Sequence, residues 1–220
     1  MKLKKIASLA LAGIMAVSML TACGEGGSSS SEPTNPVVPA ASNVAGYMNQ
    51  LLSASKSDKV VFSDDEALRN AVNAVALKAD VVKPDMIAAA YDKDEVFNIN
   101  GDASVTKKVV EEFKSGTFTT TLINTWREAD PANNEKTDYY LIVDLVDGEK
   151  DEFAVADSIV NACAATIGSF PDKTTSGANV VWDGSVAAVK VYNSKDATKS
   201  AWVVGVMFTK TVTNGTNTQV

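Results

Sequence analysis

Carboxylates are the most numerous ionisable side chains in this 220-residue chain, and they cluster. Asp144, Asp147, Glu149, Asp151 and Glu152 crowd one strand-to-helix turn. Asp92, Asp94 and Glu95 precede Asn98, Asn100 and Asp102. Two carboxylates held roughly 5–9.5 Å apart can drive acid–base hydrolysis, and dense oxygen ligands can hold Ca²⁺. Neither run has the D-x-[DN]-x-[DN]-G order with a closing Glu, so Asp144–Glu152 is at most a weak Ca²⁺ candidate. Acidic residues at a helix start are also expected from the helix dipole alone. The chain has no His and two Cys. That excludes a Ser-His-Asp triad, a Cys-His dyad, an imidazole metal ligand and a thiolate zinc site. Cys163 shares an apolar helical stripe with Ala156, Val160 and Ile167 and reads as a small buried hydrophobe. Trp126 beside Arg127 and Glu128, and Trp182 beside Asp183-Gly184, read as rings at strand ends. Such rings can stack on a sugar or peptide, so Trp126, Trp182 and Asp183 are the candidate ligand-binding residues.

Serine–lysine pairs come next. Ser53-Ala54-Ser55-Lys56 and Ser104-Val105-Thr106-Lys107 fit S-x-x-K, and Lys114-Ser115-Gly116 resembles the K-[ST]-G element of penicillin-binding enzymes and β-lactamases. With 19 serines and 18 lysines, about two S-x-x-K matches arise by chance. No catalytic residue, metal ligand or cofactor is therefore assigned.

The N-terminus carries the most specific pattern. Lys2, Lys4 and Lys5 precede an apolar run from Ile6 to Leu20, too short to cross ~30 Å of hydrocarbon comfortably. Small residues and Cys23 follow, as in a secretory signal peptide. Leu20-Thr21-Ala22-Cys23-Gly24 resembles the lipobox of bacterial lipoproteins. The resemblance implies removal of residues 1–22 and a diacylglyceryl group on the Cys23 sulfur. Residues 24–42 (GEGGSSSSEPTNPVVPAAS) then form a flexible Gly/Ser/Pro linker with a reach of roughly 25 Å. Gly24 and this linker look like those of lipoproteins from bacteria with a single membrane. Losing the three lysines takes the formal charge from -7 to -10. With only Arg69 and Arg127 as arginines, the chain lacks the basic footprint that nucleic acid requires.

The elements that must position these residues follow from periodicity. Helices are expected over 43–55, from Ser63 as N-cap to Ala79, over 84–91 and over 104–114, with one helical turn in 92–99. Thr117–Arg127 alternates as a strand, Tyr139–Val146 reads as a central strand, and Asp151–Ile167 is the clearest helix, with Phe153 on its inner stripe. Strands 180–182, 186–192 and 199–212 close the chain, with Asp183-Gly184 as a turn. The expected fold class is α+β: N-terminal helices, then an antiparallel sheet with one long helix packed on it. A single domain spans 43–212, with 213–220 as a disordered tail. The functional expectation is a membrane-anchored, extracytoplasmic lipoprotein, held through lipidated Cys23, whose non-catalytic domain binds a glycan, a peptide or an envelope protein. The alternatives are an envelope hydrolase or transferase using carboxylates, and a structural accessory of an envelope complex.

Overall fold

Two residues of opposite facing organise the fold: Val203 and Val204, adjacent in the central strand and both fully buried. Neighbouring residues of a strand point to opposite faces, so this sheet is covered on both sides. The computed structural model describes residues 41–55, 59–93, 96–98, 103–115, 136–174 and 177–213. In chain order these residues form α1 (Val44–Ala54), β1 (Val61–Asp64), α2 (Glu66–Ala76), α3 (Pro84–Ala90), β2 (Phe97–Asn98), α4 (Ala103–Ser115), β3 (Lys136–Asp147), α5 (Glu152–Gly168), β4 (Asn179–Asn193) and β5 (Asp196–Thr213). The sheet runs β1-β4-β5-β3-β2. The β4–β5 hairpin and the β3–β5 and β2–β3 pairs are antiparallel. β1 lies parallel to β4.

Helices on both faces bury the sheet. On one face, Val44, Met48 and Leu52 of α1 and Val155, Ala156, Ile159, Cys163 and Ile167 of α5 meet Val186, Val204, Val206 and Phe208. On the other, Leu68, Val72 and Val75 of α2, Ile87 of α3 and Val105, Val109 and Phe113 of α4 meet Leu141, Val143, Leu145, Val189, Val203 and Met207. The class is α+β. One finer expectation is corrected: the sheet is mixed, because β1 joins in parallel.

Local chemistry sets the helix starts. The Asp151 carboxylate accepts the Ala154 N–H at 2.8 Å and caps α5. The cap of α2 is Asp65, whose Oδ1 accepts the Leu68 N–H at 2.9 Å. The expected cap, Ser63, instead belongs to β1, whose last residue, Asp64, forms an ion pair with Arg69 of α2. Residues 97–98 are a short edge strand where a helical turn was expected. Phe153 stands 44 % exposed, off the inner stripe of α5, and meets Tyr47 edge-on at 5.5 Å. Asp183-Gly184 is no turn: β4 runs unbroken through it. The targeting segment, the linker as far as residue 40, the strand expected over 117–127 and the tail beyond 213 lie outside the described residues.

Candidate functional site

Trp182 and Asp183 are placed apart by the pleat of β4. Trp182 is only 6 % exposed. The Phe170 ring stacks on it at 4.0 Å with an 8° interplanar angle. Its Nε1 donates to Pro171 O at 2.9 Å, and the buried Lys210 ammonium lies 5.9 Å from its centroid. A ring so enclosed presents no free face for stacking. Asp183 is exposed on the opposite face, opposite Val61 of β1. The two residues therefore cannot share one ligand. Trp126 and Cys23 lie outside the described residues, as does Lys56 of the first serine–lysine pair.

The acidic turn does not converge on a point either. Asp147 Oδ1 accepts the Glu149 N–H at 3.1 Å, Asp151 caps α5, and Glu152 Oε2 accepts the Asn43 N–H at 3.2 Å, joining the starts of α5 and α1. The Asp147, Asp151 and Glu152 carboxylates each serve a local structural task. Among the described residues, no group of three or more His, Cys, Asp or Glu is placed to hold a metal ion.

Asp144 is different. It is 5 % exposed, on the α1/α5 face of β3, and its Oδ1 has no hydrogen-bond partner. Burial pushes its carboxyl up to about 6. Burial and then the Asp144 charge push the Cys163 thiol up to about 12. At neutral pH that thiol is protonated and is no nucleophile.

An exposed aromatic–cation strip lies on the α1/α5 face, at the end of the sheet where those helices start. Trp202 of β5 stands directly opposite Lys190 of β4 in the register, and Tyr192 follows two residues on. The Lys190 ammonium lies 5.9 Å from the centroids of both rings. Tyr192 is 65 % exposed and Trp202 partly so. The Trp202 Nε1 donates to Lys150 O at 3.0 Å, which fixes the indole against the turn into α5. A ring held by its N–H and open on part of its surface can take the apolar side of a sugar, while an adjacent ammonium meets hydroxyl or carboxylate oxygens. Trp202 is not among the residues singled out from the sequence, where it shares one strand face with Val204, Val206 and Phe208. The period-2 signal with Lys190 and Tyr192, both polar at that end of β4, was the available clue.

No family model, curated protein or solved structure matches the chain. Among the described residues no helix is long and apolar enough to cross a membrane.

Proposed function

We propose that the chain is a surface lipoprotein, cut before Cys23 and held by acyl chains on that sulfur, whose domain binds an extracellular glycan through Trp202, Lys190 and Tyr192. The observation that supports this reading is the Lys190 ammonium set against two partly open aromatic rings, Trp202 directly across the strand pair and Tyr192 two residues on along β4. Two buried acyl chains give long-lived attachment, since each CH₂ contributes ~0.8 kcal/mol. The Gly/Ser/Pro-rich composition after Cys23 suits a tether between an anionic bilayer surface and an acidic body. The carboxylate-hydrolase alternative has less support, because Asp147, Asp151 and Glu152 near α5 are tied to a turn, a cap and the start of α1.

The test is a titration of the protein with soluble peptidoglycan fragments and neutral oligosaccharides. Binding that weakens tenfold or more in Trp202→Ala and in Lys190→Ala supports the site. Absence of binding to every fragment, or binding indifferent to both substitutions, removes it and leaves the structural-accessory reading. For the anchor, Cys23→Ala leaves a full-length precursor; a processed, membrane-retained variant refutes lipidation.

A further inference from the structure

A carboxyl group with one unpartnered oxygen, buried in an apolar joint, is an unstable arrangement once it carries charge. Asp144 is in that position. Ile142 and Val146 flank it on the same face of β3, and Val204 stands opposite on β5. Its Oδ1 accepts no hydrogen bond. The ionisable groups that feel it are the Cys163 thiol from α5 and the Tyr140 phenol from β3. Both are neutral at physiological pH, and both are pushed up, by burial first. The other α5 side chains turned to this layer, Ile159, Val160 and Ile167, are apolar. So are Val204 and Val206 of β5, and Trp202 in the next row is uncharged. No described cation therefore offsets an Asp144 carboxylate. Among the described residues, the other edge of β3 meets the two-residue β2, with Asn98 opposite Asp144. α5 packs on both α1 and β3. Asp144 lies in the α5–β3 contact, facing Cys163 of α5, so that contact is the one its charge strains.

We propose that the α5–β3 joint is a pH-sensitive element of the fold, sealed while the Asp144 carboxyl is protonated and opening to water when it ionises. Opening hydrates the carboxylate and removes the desolvation cost that the closed joint imposes. The experiment is amide hydrogen exchange on the full chain, followed across Leu141–Val146 and Ile159–Ile167 and corrected for intrinsic rates. A carboxyl of 3.8 in the open form and about 6 in the closed form gives roughly 30-fold more opening at pH 7.5 than at pH 4.5. Asp144→Asn holds the same amides within about threefold over that range, as expected when only the carboxyl titrates. Opening of the wild-type joint that is flat with pH, or a rise that survives in Asp144→Asn, overturns the proposal. Should the variant fail to fold, the side-chain carboxyl of wild-type Asp144 is titrated directly by carbon NMR. A midpoint near 6, coincident with the rise in exchange, supports the joint; a midpoint near 4 overturns it.

Discussion

The side-chain amide of Asn49 in α1 clasps the backbone of Phe62 in β1 from both sides. The Phe62 N–H donates to Asn49 Oδ1 at 2.7 Å, and Asn49 Nδ2 donates to Phe62 O at 2.8 Å. β1 is an edge strand, and an edge offers unpaired backbone groups to any passing strand. Here a side chain takes the place of that neighbour. Asn49→Ala leaves both backbone groups without a partner and is expected to cost about 2 kcal/mol. It also unblocks the edge, so sedimentation should show concentration-dependent self-association that the wild type lacks. A variant equally stable in urea and equally monomeric would show that the clasp does neither task.

Gly184 is required where it stands. A Cβ there would meet Phe62 Cδ1 at 2.5 Å, Phe62 Cε1 at 2.6 Å and Val60 Cγ1 at 2.9 Å. Phe62 is itself wedged edge-on against Phe208, at 5.7 Å between centroids, so it has little room to yield. Gly184→Ala is expected to destabilise the fold by about 1–3 kcal/mol through overpacking. Chemical denaturation measures this, and a loss below about 0.5 kcal/mol would mean that Phe62 moves freely.

The same glycine shows what local sequence could and could not convey. Asp183-Gly184 carries a turn signal because Asp and Gly favour turns irrespective of context. Its actual cause is a ring from β1, 122 residues earlier in the chain, and no local pattern contains that. The parallel entry of β1 is hidden for the same reason, since four residues fix neither partner nor direction. α5, by contrast, was legible: its cap, its apolar spacing and its stop all lie within one segment. Only Phe153 departed from the stripe, drawn outward to Tyr47 of another helix. For the candidate site, the residue types pointed to aromatic rings on strands, but the burial of such a ring depends on what crosses the face above it. Phe170 and Pro171 follow α5 and close over Trp182, while Lys190 and Tyr192 leave Trp202 partly open.

The two tryptophans should accordingly separate stability from binding. Trp182→Ala removes a stacked, hydrogen-bonded core ring and is expected to cost about 3–5 kcal/mol, enough to lower the urea midpoint sharply. Trp202→Ala removes a partly exposed ring at the sheet end and should cost well under half of that, while abolishing the ligand response described above. Urea titration of both variants beside the binding assay decides it. Equal destabilisation would place Trp202 in the core and count against a binding role.

Asp144 gives the fold an unusual dependence on pH. Most buried acids lose support as pH falls, because a partner holds them ionised. Asp144 has no partner on Oδ1, and burial raises its carboxyl from 3.8 to about 6. The folded chain therefore binds this proton more tightly than the unfolded chain. Its contribution is most favourable below pH 3.8, declines between 3.8 and about 6, and reaches its minimum above that range. The total decline is about 3 kcal/mol. Asp144→Asn removes the titration but leaves a buried amide, whose own cost is the same at every pH. The informative quantity is thus the change in the variant-minus-wild-type stability from pH 4 to pH 7.5, measured by urea unfolding. It should move by roughly 2–3 kcal/mol in favour of the variant. A difference that stays constant across that range would mean that Asp144 titrates as an ordinary exposed acid, and that its burial imposes no cost on the folded state at neutral pH.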